Sequence, residues 1–485
     1  MTLDDYRNER LRKLDQIREL GINPYPAKSH RNTKISTILN HFSEKDGQEV
    51  CVAGRIVALR SFGKIAFVKI RDYTGEIQIF MQKSEPEDSS LFDIKRLKLL
   101  DTGDFVEARG TVGKTSTGEI SVLANRIRLL TKSLRPLPGY DGLSNKEERY
   151  RRRYVDMNVN PEVRERLVRR SKFWQATRDF MNNHGFIEIN TPVLEHTTGG
   201  ADANPFVTHM DALDEDYFLR ISQELPLKRL LGGGFEKVYD IGPRFRNEGV
   251  DDEHLPEHIA FESYAAYEDY EDGMALYEEM IKYVARETWG TLKFHVGDFD
   301  IDLNCEWPRI KYSDLLKEKF DIDVFTLDRE KAINILKSHD VQIDPSVANG
   351  RLIDNLWKLI RKTSAGPYWL IEEPLSLSPL AKVSDSNPLV TQRFHPIIAG
   401  TEMGNGYSEL NDPLDQLERF KEQQAMRDAG DNEAQMLDLD FVEMLEYGMP
   451  PACGWGNSER NFWLLEGVSG REAVPFPIIK KRGDS

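Results

Sequence analysis

Apolar positions change rhythm along this 485-residue chain. Between residues 4 and 20, Leu11, Leu14, Ile17 and Leu20 recur at helical spacing among charges, which predicts an amphipathic surface helix. Gly21-Ile22-Asn23-Pro24 ends it. From Val50 to Leu130 the texture changes to short alternating segments. Val52 to Ala58, Ile65 to Arg71, Ile77 to Met81, Phe105 to Val112, Ile120 to Val122 and Ile127 to Leu130 read as strands. Asp104, Gly113 and Thr117-Gly118 mark turns between them. So many short strands predict a small barrel of the oligonucleotide-binding type. Leu134-Arg135-Pro136-Leu137-Pro138-Gly139 then reads as a linker.

After Val163 the pattern becomes mixed. A helix from Val163 to His184 leads into Phe186-Ile187-Glu188-Ile189 and Thr191-Pro192. Strands are expected near Tyr217 to Ile221 and Val238 to Ile241, and helices near Asp272 to Thr288 and Asp328 to Lys337. Pro-ended edges mixed with charged helices favour an α+β domain on an antiparallel sheet. No Gly-x-Gly-x-x-Gly or Walker-type loop is present, so the two common nucleotide folds lose support. The expected division is a helical segment over 1–48, a barrel over 49–138, a linker over 139–160, and a catalytic domain over 161–485. The last includes a less patterned inserted region at about 273–385.

Composition narrows the picture. Hydrophobic content of 39% and charge of 30% fit a soluble globular protein. No apolar run long enough to span a membrane is found, and the charged N-terminus lacks a signal core. Cys51, Cys305 and Cys453 are too scattered for a metal-ligand spacing, so a reducing cytoplasm is expected. The net charge of −16 argues against indiscriminate nucleic-acid binding but leaves local patches open. One such patch, Lys146 to Tyr154, is basic with interleaved tyrosines and reads equally as a solvated helix face.

The candidate chemistry begins at Arg244-Phe245-Arg246-Asn247-Glu248-Gly249, just after an apolar run, with a further arginine far downstream at Arg460. Guanidiniums converging from separate segments suit a polyphosphate, which they bind bidentately and without losing charge. Alone, an Arg-x-Glu is more often a salt bridge at a strand end.

Several long motifs occur in one order. They are Gly199-Gly200-Ala201, Arg220 to Leu225, 244–264, Leu375 to Pro388, Gly404 to Asp412 and 450–460. With Pro192 and the helix before it, they resemble the class II aminoacyl-tRNA synthetases, most closely the lysyl branch. The resemblance covers nearly the whole chain. It implies activation of L-lysine by ATP, transfer to the 3' end of tRNA(Lys), Mg2+ as cofactor, and a homodimer joined through the Pro192 element. It implies Arg246, Glu248 and Arg460 as catalytic residues. ATP would meet Arg246, Glu248, His254, His258, Glu402 and Arg460. Lysine would meet Gly200, Ala201, Glu224, Arg246, Glu262, Tyr264, Asn405, Tyr407 and Glu409. Glu402 and Glu409 would hold the metal, and Phe67, Gln78 and Glu119 of the barrel would face the anticodon. The acids make sense because a buried ammonium needs carboxylate or phenol partners.

Departures from the family pattern stand out. The third motif is Gly454-x-Gly456-x-x-x-Arg460, one residue short and lacking its third glycine, so an altered backbone path is expected under ATP. His258 stands where an aromatic stacks on adenine, Glu253 where an arginine precedes His254, and His395 where a second metal carboxylate is usual. Three other readings are weighed. An aspartyl- or asparaginyl-specific relative would want a cationic or amide pocket, against Glu409 and Tyr264. An impaired RNA-binding paralogue would have no need of the full set of arginines and acids. Ligases that lysylate proteins lack the barrel.

Overall fold

Residues 2–83, 90–124, 126–138, 143–252, 254–343, 347–430 and 434–481 are described in a computed structural model. Contacts divide the chain into Met1–Arg149 with Tyr154–Val159, and Tyr150–Arg153 with Asn160–Ser485.

In the first unit, five strands form a closed ring. Glu49–Phe62 pairs with Ile65–Arg71, which pairs with Glu76–Gln82. Glu76–Gln82 runs parallel to Ile120–Leu123, which meets Phe105–Lys114, which returns to Glu49–Phe62. A sixth strand, Ile127–Thr131, adds to Phe105–Lys114. The 14-residue strand reaches both neighbours by shifting register between Ile56 and Ala58, the bend a small barrel needs. Gly54 sits at that crossing, where a Cβ would lie 2.6 Å from the Arg71 carbonyl oxygen. Alternation sends Ala66, Val68 and Ile70, and Ile77, Ile79 and Met81, inward. Helix Leu3–Glu19, opened by a Thr2/Asp5 capping box, adds Ile17 to this core, and Ile22, Ile35 and Ile38 join it. The 1–48 segment is therefore part of the barrel's packing.

The second unit is built on one large sheet. Its order is Arg309–Lys311, Tyr368–Ile371, Arg393–Ile398, Asn405–Ser408, Ala452–Ser458, Glu257–Ala266, Lys237–Phe245, Ile187–Glu188. The pairings are antiparallel except at the two edges, where Arg309–Lys311 and Ile187–Glu188 run parallel to their neighbours. Helices Pro161–Asn183 and Tyr270–Trp289 cover one region of it, burying Phe173, Phe180, Tyr277 and Ile281 against Phe261 and Trp455. Helix Tyr270–Trp289 begins at an Asp269 capping box and stops at Gly290, whose φ of 72° a Cβ would disfavour. A separate core joins helix Glu224–Gly232 to Phe420, Phe441 and Leu445. Central strands are thus buried almost throughout, as in Ala452–Ser458. Within the inserted region, helices Tyr312–Phe320, Arg329–Ser338 and Asn349–Arg361 share a core with Tyr368, Leu370 and Ile397 of the sheet.

Candidate active site

Strands Lys237–Phe245 and Glu257–Ala266 form an antiparallel pair with Arg244 opposite His258. The loop between them is pinned at its start: Arg246 N–H donates to the Pro256 carbonyl at 2.9 Å, and Asn247 N–H to the Asn204 carbonyl at 2.8 Å. This geometry opens a cavity of about 240 Å³ lined by Arg244, Arg246, Glu248, His254, His258, Glu402, Asn405 and Arg460. Arginines from distant segments thus meet in one cleft. Burial, and then the adjacent Arg244, lower the Arg246 guanidinium to about 10, still a cation at neutral pH. Its Nε is buried without a hydrogen-bond partner. A buried donor with no protein acceptor, lining this cleft, is open to an anionic partner.

The other predicted nucleotide contacts line the same cleft. Burial, Arg246 and Arg244 push His258 down to about 3, so its ring is neutral. A neutral imidazole can stack on a base without adding charge. His254 is exposed and its ring nitrogen lies 2.9 Å from the Asp251 carboxylate. Glu253 lies outside the described residues. The short third motif forms an unbroken strand: Ala452–Ser458 keeps one register with Glu257–Ala266, from Ala260 opposite Ser458 to Ala266 opposite Ala452. Glu459 then locks the turn, accepting from Ile259 N–H at 2.9 Å and pairing with Arg170 at 2.6 Å. Arg460 is therefore delivered to the cleft as the first residue of helix Arg460–Glu466.

The predicted amino-acid residues gather into an acidic, phenol-lined pocket. Glu224 opens helix Glu224–Gly232 and accepts from the Tyr407 hydroxyl. Glu262 pairs with Arg244, and the Tyr264 hydroxyl donates to it at 3.5 Å. Burial and the surrounding carboxylates hold both phenols well above their ordinary value, so both remain donors. Burial likewise pushes the Glu409 carboxyl upward, against the pull of Lys228. Three glycines make room. A Cβ at Gly454 would strike the Tyr264 ring and the Glu409 carboxylate, one at Gly456 would strike Glu262, and one at Gly200 would strike Glu224. Gly200 also has a φ of 81°. Ala201 follows it, half-buried. Arg220 is structural: it pairs with Asp240 at 3.0 Å and donates to the Thr191 and Pro243 carbonyls, tying the Pro192 segment to the sheet.

Sequence reasoning missed Lys228. Its Nζ lies 2.7 Å from Glu224 Oε1 and 2.5 Å from Glu409 Oε2, fully buried between them. Burial works against its charge, but the two carboxylates outweigh it and raise it. The i,i+4 spacing of Glu224 and Lys228 was the available signal.

Glu402 and Glu409, the two expected metal ligands, take different protein partners. Glu409 pairs with Lys228, whereas Glu402 faces the cleft and accepts from the Trp357 indole N–H at 2.7 Å, with Arg361 at 3.2 Å. Among the described residues, no group of three or more His, Cys, Asp and Glu could hold a metal ion. His395 lies 3.8 Å from Glu402 and 3.6 Å from Glu373. Burial opposes the Glu402 charge, but His395, Arg361 and Trp357 hold its carboxyl below the usual range.

In the barrel, Phe67 is half-buried and packs on Phe80 and Phe62, with ring centroids 5.3 and 6.3 Å away. Gln78 Nε2 donates to the Ser121 hydroxyl at 2.9 Å. Glu119 stands in the exposed turn before Ile120–Leu123. No helix among the described residues is long and apolar enough to cross a membrane.

Residues 145–480 match the model for class II tRNA synthetases of the D, K and N group, and 50–130 match the OB-fold nucleic acid binding domain. A lysine–tRNA ligase of Fervidobacterium nodosum is 44% identical, covering 99% of this chain and 95% of its own. One from Listeria innocua is 42% identical, covering 99% and 98%, and one from Thermotoga maritima 41%, covering 99% and 97%. With the arginine cleft, the acidic pocket and the barrel in one polypeptide, the chain belongs to the class II tRNA synthetases of the aspartate, lysine and asparagine group, on its lysyl branch.

Proposed function

We propose that this chain is a lysine–tRNA ligase whose two half-reactions run in the cleft and pocket described above. The observation that carries the substrate is the pocket's charge: Glu224, Glu262 and Glu409 with two phenols suit an ammonium side chain and oppose an acidic one. Arg246 bridges the lysine carboxylate and the ATP α-phosphate, which is why its Nε has no protein acceptor. The carboxylate oxygen attacks phosphorus, and pyrophosphate leaves. Arg460 faces the far phosphates, Glu248 the adenine amine and His258 the adenine face. Asn405 steadies the substrate carboxylate. Glu224 and Glu262 take the α-ammonium beside Gly200 and Ala201, and Glu409, Tyr264 and Tyr407 surround the side-chain ammonium. Fixed donors on one sheet lower the barrier through orientation and charge neutralisation rather than covalent help.

Magnesium would be held by Glu402 together with ATP phosphates and would supply positive charge to offset that of the leaving pyrophosphate. Magnesium characteristically takes one or two carboxylates plus substrate phosphates. Glu402 fits that role because it lines the arginine cleft, whereas Glu409 is not among the residues that line it and pairs with Lys228. The barrel binds the anticodon through Phe67, Gln78 and Glu119, since single-stranded bases are read by stacking and edge contacts. The chain acts in the cytoplasm as a homodimer joined near helix Pro161–Asn183. Ile187, Leu194 and Val207, on the strands after that helix, expose apolar side chains that such an interface would cover.

ATP–pyrophosphate exchange with each standard amino acid, with and without magnesium, tests the reading. Lysine and magnesium together are expected to support exchange. Exchange with aspartate or asparagine instead would overturn the pocket assignment. Light scattering on the purified chain tests the dimer; a monomeric mass at micromolar concentration would refute it.

A further inference from the structure

Lys228 is unusual as a buried cation placed where a cationic substrate is expected. Its ammonium takes one oxygen from each of two carboxylates, Glu224 Oε1 and Glu409 Oε2. The second oxygens are left over. Glu409 Oε1 is buried with no partner, beside Gly454 and the Tyr264 ring. Glu224 Oε2 lies beside Gly200, 3.2 Å from where a Cβ there would sit. Lys228 and the Tyr407 hydroxyl both donate to Glu224 Oε1 and leave this oxygen unused. The two spare oxygens therefore mark two ammonium subsites on either side of one resident ammonium. Glu224 comes from a helix and Glu409 from the segment after strand Asn405–Ser408, so nothing in either element alone sets their separation. Lys228 does, by hydrogen-bonding Glu224 and ion-pairing with Glu409. The Tyr407 and Tyr264 rings, 5.2 and 5.9 Å from its Nζ, flank the bridge.

We propose that Lys228 is a specificity-determining residue that reads side-chain length: by bridging Glu224 and Glu409 it sets the span between the α-ammonium and side-chain ammonium subsites. This deepens the lysine-ligase reading and rests on it. A diamine-bearing amino acid one methylene shorter can satisfy only one subsite at a time while the bridge holds. Discrimination of one methylene in an enzyme pocket typically reaches about 10–200-fold. Lys228 touches neither substrate nor reacting atoms. It is a positioning residue, acting through the two carboxylates.

The test compares lysine and ornithine in pyrophosphate exchange for the wild-type chain, Lys228→Met and Lys228→Ala. In Lys228→Met the lysine KM is expected to rise at least about tenfold while the ATP KM stays within about twofold. Ornithine kcat/KM is expected to change far less, so the lysine-to-ornithine ratio falls by about tenfold or more. The Ala variant lacks a propylammonium group; adding propylamine is expected to restore much of the ratio, and 1-propanol, of similar size and uncharged, is not. A folded Met variant with an unchanged ratio overturns the proposal, whether or not overall activity falls. So does equal rescue by propanol and propylamine. If the Met and Ala variants do not fold, Lys228→Arg carries the test: its longer fork alters the span, and an unchanged ratio again overturns the idea. Wild-type exchange with an amino acid other than lysine would instead sink the function reading.

Discussion

Replacing Glu409 by Gln isolates charge from shape. The amide keeps the side chain's volume and its buried position between Tyr264, Gly454 and Lys228. It removes the anion whose Oε1 has no partner in the protein. A hydrogen bond to a charged group contributes about 1.5–3 kcal/mol. At about 1.4 kcal/mol per factor of ten, the lysine KM should rise about 10- to 150-fold. The ATP KM should stay near wild type, because the ATP-facing groups Arg246, His258, Glu402 and Arg460 line a cleft in which Glu409 takes no part. The variant also leaves Lys228 with Glu224 as its sole carboxylate partner, so the melting temperature should drop. The assay is steady-state pyrophosphate exchange with lysine and ATP varied separately, beside a thermal melt. A lysine KM within about threefold of wild type in a folded variant would refute the pocket. A parallel rise in both constants would show that Glu409 supports the fold and not the ammonium.

Three further outcomes follow from separate parts of the molecule. Gly454→Ala places a methyl against the Tyr264 ring and the Glu409 carboxylate, and overpacking of this kind costs about 1–3 kcal/mol; lysine affinity and thermal stability should both fall, and an unaltered lysine KM would mean that the pocket floor yields. Trp357→Phe removes the indole N–H that donates to Glu402 at 2.7 Å, so the KM for magnesium-ATP should rise about threefold to tenfold, less than the full worth of a charge-assisted bond because Trp357 acts on ATP only through Glu402, with the lysine KM unmoved. Glu107 in the barrel is the acid-sensitive group: burial pushes its carboxyl up, but the Ser29 hydroxyl, Arg128 and His30 outweigh that and take it to about 2. Because its folded value is depressed, its stabilisation is present above the ordinary carboxylate range and is lost as pH falls toward 2. Calorimetry between pH 5 and pH 2 (about the span between the two values) should show a shallower acid loss for Glu107→Gln than for wild type; identical slopes would refute this.

Much of the barrel was legible in the sequence, and much of the sheet was not, for one physical reason. Barrel strands bury one face, so Ile65–Arg71 and Glu76–Gln82 alternate cleanly and their ends are readable from period two. Strands Glu257–Ala266 and Ala452–Ser458 are buried on both faces and hold glycines and polar groups that serve the pocket, so no period marks them. The helix Asn349–Arg361 did carry a signal, with Leu352, Ile353, Leu356, Trp357 and Ile360 at helical spacing, yet its purpose was invisible: only the fold brings Trp357 and Arg361 to Glu402. Motif resemblance picked out arginines that the fold brings to one cleft, but it was silent on which acid partners which cation. Lys228 is the sharpest instance. In the sequence it sits in Glu224-Leu225-Pro226-Leu227-Lys228-Arg229, where a lysine on an amphipathic helix reads as a solvent-facing charge. In the fold it is as buried as the core leucines beside it. An internal ammonium between two carboxylates is costly to desolvate and weak evidence for stability. Its presence in the amino-acid pocket is better accounted for by what it does to the two acids than by what it adds to the fold, which is why substrate length, and not melting temperature, is the measurement that should respond to it most.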